Sequence, residues 1–259
     1  MKDQEINKAR AVYYNFFSQL FVYSADTTAY LQLISTVDVL IENSLDDTSC
    51  EALKRIKAQL DPMSNINLVQ EYDNLFHNPF SSTIRTTASF YDEQVESGKK
   101  RVQMLDFLAK TRIRRDEKTY TDLEDSVGFI ITLMAELLDL VAEGQEQYKT
   151  LTHCIFADVL NDFVDEFARD VYEHEDAKIF KDVIIVLQAF VSFERLYLEV
   201  SKPTLTKKEA IKSFHSGFDP NELSPEEIAR RAKNKKLKQQ GPKQEINPDD
   251  IAYDVENEV

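Results

Sequence analysis

The sequence predicts an all-α protein, a single helical bundle of about eight or nine helices followed by a mobile C-terminal tail. Three observations carry that expectation. Apolar residues recur at spacings of three and four through most of the first 200 positions, and period-two alternation is hard to find. Only Pro62 and Pro79 interrupt those positions, whereas Pro203, Pro220, Pro225, Pro242 and Pro248 crowd the end. Glycine is scarce, at 5 of 259 residues, which argues against tight-turned β-sandwiches and Gly-rich phosphate loops.

Val12, Phe16, Leu20 and Tyr23 mark one face of a first helix over 5–23. Leu31, Ile34, Val37 and Ile41 mark a second over 27–43. Shorter amphipathic stretches follow over 48–60, 64–77, 84–96 and 100–112. Leu123, Val127, Ile130, Met134, Leu137 and Val141 predict a long helix over 119–143, with Thr121-Asp-Leu-Glu124 as a capping box at its head. Phe156, Val159, Phe163 and Phe167 predict a helix over 147–173, and Ile179, Val183, Val186, Phe190 and Phe193 one over 176–200. A helical domain over 1–200 and a charged, largely disordered tail over 201–259 are therefore expected. Within the tail, Ser224-Pro225-Glu226-Glu227 supplies an N-cap, a first-turn Pro and a capping glutamate for a short helix near 225–238.

Charge is distributed unevenly. Residues 1–200 hold 20 Lys+Arg against 35 Asp+Glu, so the net −15 of the chain sits wholly on the predicted bundle. Such a body repels nucleic acid and anionic lipid and attracts basic peptides, although solubility alone would also account for it. Two cysteines, Cys50 and Cys154, support neither a disulfide framework nor a four-thiolate zinc site. No run of about 18 apolar residues suggests a membrane span. The opening Met1-Lys-Asp-Gln-Glu-Ile6 lacks the apolar stretch of a secretory signal. A cytoplasmic protein without stable membrane insertion is the expectation.

Catalytic signatures are missing from the sequence. There is no Walker or dinucleotide glycine pattern, no H-E-x-x-H, no Glu-x-x-His and no His-Asp pair. Asp46-Asp47 begins like a diphosphate-binding motif, but Cys50 stands where a further acid is needed. His153-Cys154 joins a base to a thiol, yet adjacent helical residues point in different directions. No catalytic residue, metal ligand or cofactor is expected. Arg230-Arg231 lies near the end of the chain with no apolar segment after it, and reads as a solvated helix face.

One ordered constellation remains. Residues 71–91 begin Glu-Tyr-Asp-Asn-Leu-Phe-His-Asn-Pro, so that Tyr72, Leu75 and Phe76 share an amphipathic helix that Pro79 ends. A Ser/Thr-rich loop leads to Ser89-Phe-Tyr91, and Leu123-Glu124-Asp125-Ser126-Val127-Gly128-Phe129 follows. This order resembles the TorD/DmsD/NarJ family of molybdoenzyme maturation chaperones over roughly residues 8–200: a Tyr-x-x-Leu-Phe, a Pro, a Ser-x-Tyr, and an Asp-His pair that opens a helix. The chain departs in two places. Asp125-Ser126 replaces the Asp-His pair, and Phe163 stands where the family carries Trp.

The resemblance implies a cytoplasmic chaperone for the precursor of a molybdenum- or tungsten-cofactor oxidoreductase, such as a formate dehydrogenase or an S- or N-oxide reductase. It would bind the client's twin-arginine signal peptide or apo form, assist cofactor insertion and delay export, as a monomer or a domain-swapped dimer. Two guanidinium groups followed by an apolar segment call for carboxylates beside an apolar groove. Glu124 and Asp125 would supply the first; Leu75, Phe76, Tyr91 and Phe129 would contribute to the second. Tyr72, Pro79, Ser89 and Ser126 complete the candidate set. Each has a structural alternative: Glu124 as a cap, Leu75, Phe76, Tyr72 and Tyr91 as core, Pro79 and Ser89 as loop geometry and capping. Asp125 has no evident capping partner in the sequence. Lys99-Lys100-Arg101 and Arg112 to Arg115 read as solvated basic faces. Two other functions fit the composition: a generic acidic helical adaptor without signal-peptide binding, and an all-α enzyme with an unrecognised site.

Overall fold

Two helices that share almost no sequence character make the centre of the bundle. The first, α1 (Lys2–Phe21), has an acidic first turn and then a dense aromatic run, with Tyr14, Phe16, Phe17, Leu20 and Phe21 all buried. Side chains on more than one face of it are covered, which requires neighbours around most of its circumference. The other is α7 (Val127–Ala142), in which Val127 to Ile131 are buried without a break. These two helices pack along each other. A computed structural model of the chain describes residues 2–24, 26–79, 82–117 and 120–203. The expected tail helix near 225–238 and the disorder expected of the tail lie outside the described residues.

Around the central pair run α2 (Thr27–Glu42), α3 (Asp47–Gln59), α4 (Ile66–Phe76), α5 (Ala88–Glu93) and α6 (Lys99–Ala109). After α7 come a short 3-10 turn (Glu146–Tyr148), α8 (Lys149–Ile155), a π turn (Phe156–Leu160), α9 (Asn161–Glu173) and α10 (Ile179–Leu198). The chain is helical without interruption from α8 through the π turn to α9, matching the single helix expected over 147–173. The all-α class is as expected, and no strand forms among the described residues. None of their helices is long and apolar enough to cross a membrane.

Local chemistry sets the ends. Asp26 accepts the amides of Thr28 and Ala29 at 3.3 and 3.1 Å and so starts α2. Asp46 forms a capping box with Ser49 at the head of α3, which gives the acidic pair a structural purpose. The first turn of α10 is capped from another helix: Glu71 accepts the amides of Lys178, Ile179 and Phe180 at 2.6, 3.1 and 2.9 Å. In the π turn the Asp158 carbonyl accepts Lys100 Nζ at 2.5 Å.

A buried ion pair joins the two ends of the bundle. Arg10 donates from Nε and Nη2 to the two oxygens of Glu194 at 2.6 and 2.8 Å. Asn7 accepts a further guanidinium hydrogen, Tyr14 donates its hydroxyl to Glu194, and the Tyr197 ring lies 4.8 Å from the Arg10 carbon. Aromatic rings fill the space beside it, with Phe190 stacked on Tyr13 and edge-on to Tyr14 at 5.1 and 4.9 Å.

Two expected boundaries move inward. The helix expected over 119–143 begins only at Val127, and that expected over 84–96 is Ala88–Glu93. Both shortenings have one cause, a joint between the two segments.

Candidate functional site

At that joint the backbone of 86–88 runs antiparallel to 125–127. Val127 donates to the Thr86 carbonyl and Ala88 to the Asp125 carbonyl, both at 2.8 Å. The fully buried Asp125 side chain adds a third link, accepting the Ser89 amide on Oδ2 at 2.9 Å. A carboxylate is thereby fixed on the first turn of α5, where the free amides of a helix favour negative charge. Asp125, which lacked an evident capping partner in the sequence, thus caps a helix 36 residues upstream. Its other oxygen, Oδ1, has no hydrogen-bond partner.

Ser126, in the place of the expected histidine, is the N-cap of α7 and accepts the Phe129 amide at 3.3 Å. Its hydroxyl also shares a hydrogen bond with the Tyr120 hydroxyl at 3.0 Å. The capping box expected at Thr121–Glu124 is corrected accordingly: the helix starts later, and Glu124 is used elsewhere. Two residues on, Gly128 lets α7 touch the end of α1. A Cβ at Gly128 would stand 2.5 Å from the Phe21 carbonyl oxygen.

Glu124 is buried between two arginines. Arg101 of α6 donates from Nε to Oε2 at 2.7 Å, and Arg115 donates from Nε to Oε1 at 2.8 Å. Arg115 is anchored further by the carbonyls of Tyr120 and Asp122 at 3.2 and 3.1 Å. Arg101 is tied back to the joint through its own amide, which donates to Ser89 Oγ. Burial pushes the Glu124 carboxyl up, and hydrogen bonds led by the one from Arg101 more than offset this, leaving it below its ordinary value. The expectation that Arg101 and Arg115 belong to solvated basic faces is thus corrected. They face inward because a carboxylate without them would be buried unpaired.

The aromatic candidates lie deeper. Leu75 is wholly buried, and Phe76 packs with Phe21, Phe167 and Phe180. Tyr72 donates its hydroxyl to the Phe21 carbonyl at 3.3 Å. Tyr91 stacks on Phe163 at 5.6 Å and donates to Asp170. Burial holds both tyrosine hydroxyls well above their usual range. Pro79 is exposed on the loop after α4.

Beside the joint opens an apolar groove of about 320 Å³, between the end of α1, the irregular stretch 113–116 and the start of α7. Val22, Ile113, Tyr120, Phe129 and Leu133 give it its apolar lining, and Arg115 stands at its wall. Of the four apolar candidates only Phe129 lines this groove; Leu75, Phe76 and Tyr91 are buried in the core. Glu124, Asp125, Ser126, Ser89 and Phe129 are brought together, while Pro79 stays apart.

Residues 42–169 match the model of the nitrate reductase delta subunit family. Over that span, 128 of its 259 residues, the chain is similar to that family. The match supports the resemblance to redox-enzyme maturation chaperones of the TorD/DmsD/NarJ kind. The matched span of the nitrate reductase delta subunit family takes in every candidate site residue, from Tyr72 to Phe129. Among solved structures, the chain is similar to a protein from Archaeoglobus fulgidus assigned to redox enzyme maturation, at 18% identity and a TM-score of 0.46, over 71% of this chain and 93% of that one. No curated protein matches it.

Sequence reasoning missed Arg101, Arg115 and Tyr120 as parts of the candidate site. No local spacing marks them, because Arg101 and Arg115 reach Glu124 from separate segments. Gly128 could have been found: in a chain with so few glycines, one inside an apolar helix run points to a close backbone approach.

Proposed function

We propose that this chain is a cytoplasmic chaperone that binds the twin-arginine signal peptide of a molybdenum- or tungsten-cofactor oxidoreductase precursor, holding it until the cofactor is in place. One observation carries the reading. An apolar groove with an aromatic floor opens beside a carboxylate that is already engaged by two guanidinium groups. That is the chemistry a twin-arginine segment followed by apolar residues requires of its receptor. The acidic body, with net charge −15 for the chain, favours encounter with such a basic peptide. Asp125 supports the site from beneath by fixing α5, and Phe129 meets the apolar part of the ligand. The family's role in redox-enzyme maturation agrees.

Calorimetric titration with twin-arginine signal peptides from molybdoenzymes of the same organism, each beside its Lys-Lys variant, tests this. Binding of one peptide at about micromolar Kd or tighter, weakened by the Lys pair and by added salt, is expected. A folded protein that binds none of them, yet captures a client's mature body, would move recognition away from the signal peptide and favour the adaptor function.

A further inference from the structure

Each oxygen of Glu124 is bonded within the chain. Its two oxygens are each taken by a guanidinium group of the chain itself, at 2.7 and 2.8 Å, and the side chain is buried. The two arginines are not held alike. Arg101 sits on α6; its backbone amide bonds Ser89 Oγ, and its guanidinium has one further bond, to Ser97. Arg115 lies in irregular backbone, lines the apolar groove, and takes its remaining bonds from carbonyls of its own loop, those of Tyr120 and Asp122, and from the exposed Glu117.

We propose that Arg115 is an internal stand-in for a client arginine, occupying Glu124 in the empty chaperone and yielding that carboxylate to the incoming guanidinium. The inference rests on the signal-peptide function above and adds its regulation. Exchange of one guanidinium for another leaves the number of charge-assisted bonds at Glu124 unchanged, so the buried carboxylate is never left unpaired on the way to the bound state. The swap releases Arg115 to solvent together with the segment that walls the groove, and access to the groove is coupled to occupancy of the carboxylate. A ligand without a guanidinium gains nothing from displacing Arg115. The coupling therefore selects for arginine over lysine, whose ammonium cannot reproduce the fork.

The test compares wild type with Arg115→Gln, Arg115→Lys and Arg101→Gln. Each is titrated with a twin-arginine signal peptide and warmed to its Tm with and without ethylguanidinium. Loss of the competing arginine should tighten peptide binding about tenfold in Arg115→Gln and by a smaller factor in Arg115→Lys. Arg101→Gln should not tighten it. Ethylguanidinium should raise the Tm of Arg115→Gln and leave that of wild type unchanged, since a guanidinium returns to the vacated oxygen. Equal or weaker peptide binding by folded Arg115→Gln and Arg115→Lys, with no response of Arg115→Gln to ethylguanidinium, would overturn the proposal. Rescue by ethylguanidinium in a protein that binds no signal peptide would keep the exchangeable arginine and remove the signal-peptide function instead.

Discussion

Asp125 accepts the backbone amide of Ser89 at 2.9 Å from inside the protein, with none of its surface exposed. One carboxylate therefore joins the start of α5 to the segment that opens α7, and the two backbone bonds between 86–88 and 125–127 close around it. This makes Asp125 a structural acid, and its substitution should act on the proposed peptide site through the fold.

In Asp125→Asn the amide oxygen can keep the Ser89 bond, but a polar NH2 group takes the place of Oδ1, a buried atom with no hydrogen-bond partner. The expected cost is about 1–2 kcal/mol of stability, the penalty of a buried unsatisfied donor. Urea unfolding should show a lower midpoint with an unchanged m-value. Peptide affinity should fall by a factor that added salt does not remove, because no charge contact with the peptide is lost. A wild-type urea midpoint with salt-sensitive loss of binding would make Asp125 a contact residue after all.

Glu124 carries the pH dependence. Its carboxyl lies below the usual 4.5 in the folded chain, so folding is favoured by its ionised form. That contribution is complete above the ordinary value and disappears as pH falls through the folded value, in the acid range below about 4.5. Glu124→Gln should lose about 3 kcal/mol at neutral pH, since Arg101 loses its carboxylate and Arg115 keeps only the exposed Glu117 as a charged partner. The gap between its Tm and that of wild type should narrow as pH drops from roughly 6 to 3. A gap that stays constant across that range would mean that the ionised pair adds nothing to stability.

Helix identity was readable because periodic apolar residues face a core whatever their partners. Phe156 to Phe167 kept one rhythm through a π turn, and Val127 to Val141 through the most buried helix. What the pattern could not reveal was a bond between distant segments. Leu123 fits the rhythm of α7 and extended the expected helix too far, because nothing local says that the Asp125 carbonyl bonds Ala88 instead of a residue of its own helix. The inward turn of Arg101 and Arg115 was hidden for the same reason. The motif residues Glu124, Asp125 and Ser126 could be picked from the sequence as a group, but the partner of each lies in another segment or was assigned to another role.

Gly128 is where a single methyl group should be most damaging. The Phe21 carbonyl oxygen stands 2.5 Å from where a Cβ would be, and the Tyr120 hydroxyl 3.0 Å. The first is backbone at the end of a central helix and cannot turn aside as a flexible side chain would. Gly128→Ala must therefore separate α1 from α7 at the groove, despite the better helix propensity of alanine. A loss of about 2–3 kcal/mol is expected, typical of overpacking in a close-packed interior. Peptide binding should weaken with it, because Ser18 and Phe129 line the groove from those two helices. Unfolding at or above the wild-type midpoint would show that the helices do not approach so closely.

The Arg10–Glu194 pair separates the cost of breaking a buried charge pair from the value of having one. Glu194 is wholly buried and receives Arg10 on both oxygens and Tyr14 on one, so Arg10→Met leaves a carboxylate with one neutral donor. Desolvation of that uncompensated charge should cost about 3–5 kcal/mol. Removing the carboxylate as well, in Arg10→Met with Glu194→Leu, replaces two desolvated charges by apolar groups of similar size. Tyr14 then lacks an acceptor, a penalty of about 1–3 kcal/mol, while the remaining terms nearly cancel. The double variant should therefore be more stable than Arg10→Met alone in urea unfolding, with a favourable coupling energy between the two substitutions. Additive losses would mean that the two charges are solvated independently, and that the pair does not tie α1 to α10.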